Sequence, residues 1–253
     1  MPRPTRKGNT VSTHVATSNP VRSDVRNVSD HPNRPTRSSS RLWALSGLGA
    51  GLLGVATIVT SSMVDVVYRD EFKGTTDGVA KALEGKAGVL FAFHSITTLG
   101  AILLVVFAAG LFRRLNRGAG DSIAPTVAFS GLLGTAVVSV LGAGLDTEFM
   151  MALATGDQNT VPDSSASLYN NWIGTIPWVW VLAGLAGVAI YATSRLSVVP
   201  RWIGRVGLVM GGLAMLLGIS PLEYMAGPVA ALWLVVTSVG FLAGDKAHRS
   251  ANA

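Results

Sequence analysis

Six long apolar runs, nearly free of charged side chains, alternate with polar loops between Leu42 and Ala243. Each run has about 17 residues or more, which is enough for a helix to cross the roughly 30 Å hydrocarbon core of a bilayer. None of them alternates apolar and polar positions as a membrane β-strand does. Because a backbone in lipid must satisfy its own hydrogen bonds, the runs are expected to be helices. The pattern predicts an all-α membrane protein, a bundle of six transmembrane helices.

The same pattern divides the chain into three parts. Residues 1–41 are rich in Pro, Ser, Thr, Asn and Arg and carry few large apolar side chains, so they predict a disordered, basic cytoplasmic tail. Residues 42–244 form the transmembrane domain, and residues 245–253 form a short cytoplasmic C-terminal tail. The predicted spans cover residues 42–63, 88–112, 123–145, 172–194, 202–220 and 225–243.

Charges in the loops predict the orientation of the bundle. Eight Lys and Arg residues precede the first span, and two loops further along are purely or mainly basic, whereas the loop 146–171 contains acids and no base. Basic loops stay on the cytoplasmic side of a membrane. We therefore expect both termini to be cytoplasmic in a multi-pass protein of the cell inner (plasma) membrane. The bases of the two short loops are Arg113, Arg114, Arg117, Arg195, Arg201 and Arg205.

Composition narrows the classes of partner. Hydrophobic residues make up 49% of the chain and charged residues only 13%, which is typical of membrane proteins. The net charge of +6 comes from arginines beside apolar segments, so it favours the bilayer and its anionic lipids over nucleic acid. The expected partners are therefore the lipid bilayer, anionic lipid bound through the N-terminal tail, and a membrane-protein partner or a second copy of the chain.

Glycines in the first span match a nucleotide-binding fingerprint only in their spacing. Gly49, Gly51 and Gly54 satisfy the Gly-x-Gly-x-x-Gly pattern, but they lie inside an apolar run rather than between a strand and a soluble helix. Small residues at helical spacing instead allow two membrane helices to approach closely. We predict packing strips at Gly47, Gly51 and Gly54, and at the pairs Gly131 and Gly134, Gly184 and Gly187, and Gly207 and Gly211.

One ionisable side chain, His94, lies well inside a predicted span. Such groups are rare at membrane depth and often mark a functional site. Acids at outer ends of spans complete a candidate polar site: Asp65, Asp146, Glu148 and Glu223. One interpretation is a site that takes protons from His94 or holds Ca²⁺ or Mg²⁺ through carboxylate oxygens. The other is a packing histidine beside acids that the charge pattern leaves on the outer face.

The loops that follow the first and third spans, which the charge pattern assigns to the outer face, differ in their predicted structure. Residues 77–86 have helical spacing and predict a short helix, whereas residues 157–171 are polar, contain Pro162 and predict a loop. Aromatic rings gather at the outer end of the fourth span, where Trp172, Trp178, Trp180 and Tyr169 are expected to anchor to lipid headgroups. Pro177 is expected to kink that helix.

The segment from Pro200 to Gly207, Pro-Arg-Trp-Ile-Gly-Arg-Val-Gly, leads into a glycine-rich span and a hairpin bounded by Pro221 and Pro228. It resembles a pattern in small six-helix bacterial integral membrane proteins of unknown function. The resemblance covers roughly the last third of the chain. It implies a bacterial inner membrane and a six-helix bundle, and it transfers no activity to any residue.

The sequence favours a non-enzymatic accessory or regulatory membrane protein. The alternative is a small proton- or cation-linked transporter or channel that uses His94 and the outer-face carboxylates. The chain has no cysteine and no dense metal-ligand motif, so no catalytic residue, cofactor or metal site is assigned. A membrane enzyme would need paired acids, bases or metal ligands near the bilayer.

Overall fold

The computed structural model describes residues 41–155 and 162–245, which fold entirely as helices and turns without a β-strand. Six helices within these ranges are long and apolar enough to cross a membrane, which confirms the predicted six-helix, all-α class. The tail predicted for residues 1–40 and the tail 246–253 lie outside the described residues. The structure thus defines a multi-pass membrane protein.

The first span is one helix, Leu42–Met63, as predicted, and the second is Ala87–Asn116. The third runs over Ala124–Thr155, and the fourth consists of Asp163–Val179 and Val181–Arg195. The fifth comprises Arg201–Val206, a π-helical segment Gly207–Gly211, and Gly212–Ile219. The sixth comprises a 3₁₀ turn Glu223–Met225, the helix Ala226–Val239 and a π-helical segment Gly240–Gly244.

The third and fourth helices extend well past the predicted span ends. The third continues from Leu145 to Thr155, and the fourth begins at Asp163 rather than at Trp172, so the prediction of a loop over residues 163–171 was wrong. These extensions are polar on one side, which is why hydropathy did not reveal them. Their other side is buried under the loop that joins the first two spans, and this packing supports the helices beyond the apolar runs.

That loop is an ordered element, which we call the cap and define as residues 64–86. It contains a 3₁₀ turn Asp70–Phe72 and a short helix Val79–Ala82, the latter within the segment predicted to be helical. A separate apolar cluster lies between the cap and the ends of the second, third and fourth spans. Its buried members are Val64, Val66, Val79, Leu83, Leu90, Phe93, Phe149, Met150, Ala166, Ile173 and Ile176.

We call the two ends of the bundle the acidic end and the basic end. The acidic end carries the cap and the turn at residues 220–222, and the basic end carries the loops 117–123 and 196–200. At the basic end, Arg114 donates from Nε to Asp245 Oδ2 at 2.7 Å and from Nη2 to Asp245 Oδ1 at 2.8 Å. The same Nη2 also donates to the carbonyl of Val198 at 2.8 Å. This clamp joins the second span, the loop 196–200 and the end of the sixth span.

Glycine backbones bring the helices into direct contact. A Cβ built on Gly187 would lie 2.6 Å from the carbonyl oxygen of Gly207, and one built on Gly184 would lie 2.6 Å from that of Gly211. In the first span, a Cβ on Gly51 would lie 2.9 Å from the backbone nitrogen of Val235. These separations are too short for any side chain, which confirms that the glycine pairs and the first-span strip serve helix packing.

The fourth span is interrupted at Trp180, three residues after Pro177. Proline removes a backbone donor from the helix, and the chain re-forms hydrogen bonds through a tighter turn in which Ala183 N–H donates to Trp180 O. Thr135 of the third span brings its hydroxyl to 3.4 Å from the carbonyl oxygen of Val179. The Trp180 ring is only 5% exposed and packs on Gly54, so its predicted role as a headgroup anchor was wrong.

Candidate functional site

Two side chains of the fourth helix fix the cap in place. Asn170 is fully buried; its Oδ1 accepts hydrogen bonds from Val66 N–H at 2.8 Å and Val67 N–H at 2.9 Å, and its Nδ2 donates to Val64 O. Asp163 accepts from Gly78 N–H at 3.0 Å and from Ala80 N–H at 2.9 Å, at the start of the short cap helix. Backbone groups of the cap are thereby satisfied by side chains far away in sequence.

A second polar group at the acidic end surrounds Tyr68. Its hydroxyl lies 3.1 Å from that of Tyr224, and its ring packs on Gly174. Burial, the Tyr224 contact and the nearby carboxylates of Asp65 and Glu223 raise the pKa of Tyr68 above its ordinary value. Burial also raises the pKa of Asp65, opposed by a hydrogen bond from Tyr68 N–H and by the charge of Arg69. The end of the first span therefore meets the start of the sixth here.

His94 lies away from this group, between the second and third spans. The ring is half-buried and Nδ1 lies 2.8 Å from the carbonyl oxygen of Ala143, so Nδ1 carries the proton that is donated to it. The hydroxyl of Thr147 lies 3.5 Å from the same nitrogen. This contact links two helices through one hydrogen bond from the ring to a backbone carbonyl, which is the geometry expected of a packing histidine.

Of the described candidate residues, Asp146 lies in the environment least favourable to a charged side chain. It lies inside the third helix with 0% exposure, and neither carboxylate oxygen has a hydrogen-bond partner within the described part of the chain. The indole Nε1 of Trp172 is also buried and has no partner in the described ranges, and it lies against Gly142, one helical turn before Asp146. Asp146 and the residue that Trp172 packs on, Gly142, therefore lie four residues apart on the same helix, and the hydrogen-bonding groups of both Asp146 and Trp172 are unused by the described residues.

The predicted site residues do not form one cluster in the described residues. Asp65 and Glu223 act together on Tyr68, whereas His94 and Asp146 lie on the third-span side of the bundle. The side chain of Glu148 lies outside the described part of the chain. Among the described side chains, no group of three His, Asp or Glu residues could hold a metal ion.

Two further polar clusters escaped the sequence analysis because hydroxyls in apolar runs give no distinct signal. Thr57 and Thr97 share a hydrogen bond of 3.2 Å and, with Ser139 and Trp180, line a cavity of about 10 Å³ between the first four spans. That volume is close to the minimum for one water molecule. In the sixth span, three fully buried polar atoms have no partner among the described residues: Trp233 Nε1, Thr237 Oγ1 and Ser238 Oγ.

An open concave surface lies on the cap. It is a groove of about 670 Å³ between cap residues 67–77 and the extended fourth helix, with Ser167 and Asn171 on the helix side. Tyr68 and Phe72 contribute aromatic surface, and Lys73 contributes charge. Its lining comes from the cap and from the polar start of the fourth helix, so it is a surface feature rather than a passage between helices.

Taken with the fold, these features define the class: a six-span helical membrane protein whose acidic end is covered by an ordered cap. No family model, curated protein or solved structure matches the chain.

Proposed function

We propose that this chain is a non-enzymatic accessory or regulatory membrane protein that acts through its capped end. The cap supports this proposal most directly, because it is an ordered structure outside the bundle with its own apolar core and an open groove. Its seating is specified by Asn170 and Asp163, two side chains that bond to cap backbone rather than to each other. Such specification is expected of a recognition surface and is unnecessary for a simple connecting loop.

The packing of the bundle supports the same proposal. The fourth and fifth spans touch through glycine backbones, and the cavity among the first four spans has room for about one water molecule. A transport pathway needs a binding site that is reached from each side in turn. A bundle packed at backbone distance is better suited to a fixed scaffold for the cap.

One observation favours a second candidate, a small proton- or cation-linked transporter or channel. Asp146 is a fully buried acid with no hydrogen-bond partner among the described residues, and intramembrane acids often mark proton or ion pathways. In this candidate, Asp146 alone carries the role that the sequence assigned jointly to His94 and four carboxylates.

Reconstitution in liposomes distinguishes the two candidates. We expect vesicles that contain the protein to pass H⁺, Na⁺ and K⁺ no faster than protein-free vesicles under imposed gradients, with gramicidin as a positive control. Flux that requires the native chain and is lost in Asp146→Asn would overturn the accessory role and establish the transporter. Flux that persists in Asp146→Asn would overturn both the accessory role and the part assigned to Asp146.

We further propose that the protein lies in the cell inner (plasma) membrane with its basic end and both termini cytoplasmic. Arg113, Arg117, Arg195, Arg201 and Arg205 are all exposed at or near the basic end, where they favour the cytoplasmic side. The eight bases of residues 1–41 then face anionic lipid, which attracts each of them by about 1 kcal/mol near the surface. Binding of a peptide of residues 1–40 to anionic vesicles should weaken with added salt; salt-independent binding would contradict this proposal.

A further inference from the structure

Asp146 lies at the boundary between the two apolar cores of the protein. One turn towards the acidic end, Phe149 and Met150 belong to the cluster beneath the cap, and one turn towards the basic end, Gly142 faces the ring of Trp172. Counting about 1.5 Å per residue from Ala124, Asp146 lies roughly 33 Å along the third span, at the acidic-end edge of a hydrocarbon core about 30 Å thick. Asp146 is fully buried there, next to the turn whose Phe149 and Met150 pack under the cap.

Burial of a carboxylate in such a place is unfavourable. Burying a polar group without a hydrogen bond is unfavourable, and burying an ionised carboxylate is considerably more so. Neither oxygen of Asp146 receives a hydrogen bond from the described residues. The charge must therefore be removed by a bound proton while the cap is seated, or be solvated when the cap opens.

The neighbouring elements supply no described counter-charge. On the second span the nearest titratable group to this face of the third span is His94, whose Nδ1–H is engaged by Ala143 O. On the fourth helix, Tyr169 packs its ring on Phe149, and Asp163 is occupied by cap backbone. The indole N–H of Trp172 is a donor without charge, which suits either a neutral acid or a newly formed carboxylate.

We propose that Asp146 is a proton-binding site that couples protonation to the seating of the cap. With the cap seated, the Asp146 carboxyl group holds its proton in the apolar boundary layer. When the cap lifts, water enters, the O–H bond breaks, the proton passes to water as hydronium, and the electron pair remains on the carboxylate. The carboxylate is then solvated by that water and by the Trp172 N–H. Rising pH at the acidic end therefore favours an open cap, whether or not the protein conducts ions.

Cysteine labelling measures this coupling directly, because the native chain contains no cysteine. Ala166 is fully buried beneath the cap, and Leu168, two residues along the same helix, is 67% exposed. The full chain carrying Ala166→Cys is placed in nanodiscs and treated with a maleimide between pH 6 and pH 8. Dividing its labelling rate by that of Leu168→Cys removes the intrinsic pH dependence of the thiol reaction.

If each opening releases one proton, the normalised rate rises by up to about tenfold per pH unit. Adding Asp146→Asn, which keeps the shape and cannot lose a proton, should make the rate low and independent of pH. Asp77→Asn changes an exposed acid of the cap and should leave the native profile intact. A flat profile in the native background, or the same rise in Asp146→Asn, would overturn the proposal. So would a profile flattened by Asp77→Asn.

A second measurement does not depend on the cysteine reporter. Infrared spectra of the native chain at neutral pH should contain the C=O stretch of a protonated carboxyl group, which shifts in D₂O. That band should be missing in Asp146→Asn and retained in Asp77→Asn. Absence of the band from the native protein would show that Asp146 is ionised while the cap is seated, and the proposal would fail. Because neither readout is ion flux, failure here is distinct from failure of the accessory role.

Discussion

At the scale of single residues, the chain handles its polar groups in two ways. Many described hydroxyls in the spans bond back to their own helix, as when Ser61 donates to Ile58 O at 2.8 Å and Thr193 donates to Ile190 O at 2.9 Å. Such bonds hide a polar group without linking helices. Asn170 does the opposite, because all the described hydrogen bonds of its side chain are made with the cap. It therefore stabilises a contact between segments that are distant in sequence.

The first prediction concerns this asparagine. Asn170→Ala leaves two backbone donors and one acceptor of the cap without a partner, and each buried unsatisfied group costs about 1–3 kcal/mol. We expect a loss of at least about 3 kcal/mol of stability together with rapid proteolysis of the cap. The matched control is Asn171→Ala, which removes only an exposed bond to Ser167 O. Equal effects of the two changes on thermal unfolding in detergent would contradict the role assigned to Asn170.

The second prediction follows from the raised pKa of Asp65. Burial makes the folded protein hold this proton more tightly than the unfolded chain does, so the native protein loses stability as pH rises above the ordinary value of 3.8. Asp65→Asn does not titrate and escapes this loss. The melting temperature of Asp65→Asn relative to the native protein should therefore rise between pH 4 and pH 7. A relative melting temperature that falls over this range would show the opposite sign of coupling.

The sequence revealed His94 and Asp146 because ionisable groups stand out in or beside apolar runs. It did not reveal Asn170, since an amide in a polar segment is unremarkable until Val66, 104 residues away, is placed beside it. The unused indole of Trp172 was missed for the same reason. Its ring was assigned to the headgroups, whereas Gly142 admits it between the helices. Contacts between distant residues therefore set the limit of prediction for the site.

At the scale of elements, glycine spacing predicted which helix faces pack, because a small-residue strip has one main use inside an apolar helix. The partners were not predictable, since each strip fits any second backbone of similar shape. The structure pairs Gly184 and Gly187 with Gly211 and Gly207, and it places the π-helical segment Gly207–Gly211 at this contact. A π turn widens the helix locally and is common at functional or strained positions.

The third prediction tests this contact. In Gly187→Ala the new methyl group would lie 2.6 Å from Gly207 O and 3.0 Å from Gly211 Cα, and backbone atoms cannot move aside as a flexible side chain does. We expect a loss of about 1–3 kcal/mol through overpacking. Gly212→Ala provides the control in the fifth span, where a Cβ meets nothing within 4 Å. It should be neutral or stabilising by about 0.5–1 kcal/mol. A Gly187→Ala protein as stable as the native one would show that the two spans separate readily.

At the scale of the whole molecule, the charge pattern and the fold agree on which residues share an end. Hydropathy identified all six helices, and it failed only where the third and fourth continue into polar sequence supported by the cap. Arg114 shows why a charge count alone is incomplete. It was counted as an orientation signal, yet only 11% of its side chain is exposed, and it binds Asp245 and Val198 O. The remaining arginines of the two basic loops are exposed and suffice for the predicted orientation.

The last prediction is that the acidic end faces outward. Lys73 in the cap, Ser164 at the start of the fourth helix, and Asn116 at the basic end are all exposed. Single cysteines at these positions report orientation without background, because the chain has none of its own. In intact cells, an impermeant thiol reagent should label Lys73→Cys and Ser164→Cys and should leave Asn116→Cys unlabelled until the membrane is permeabilised. Labelling of Asn116→Cys alone would show that the protein has the opposite orientation. The cap and the proposed proton site at Asp146 would then lie on the cytoplasmic side.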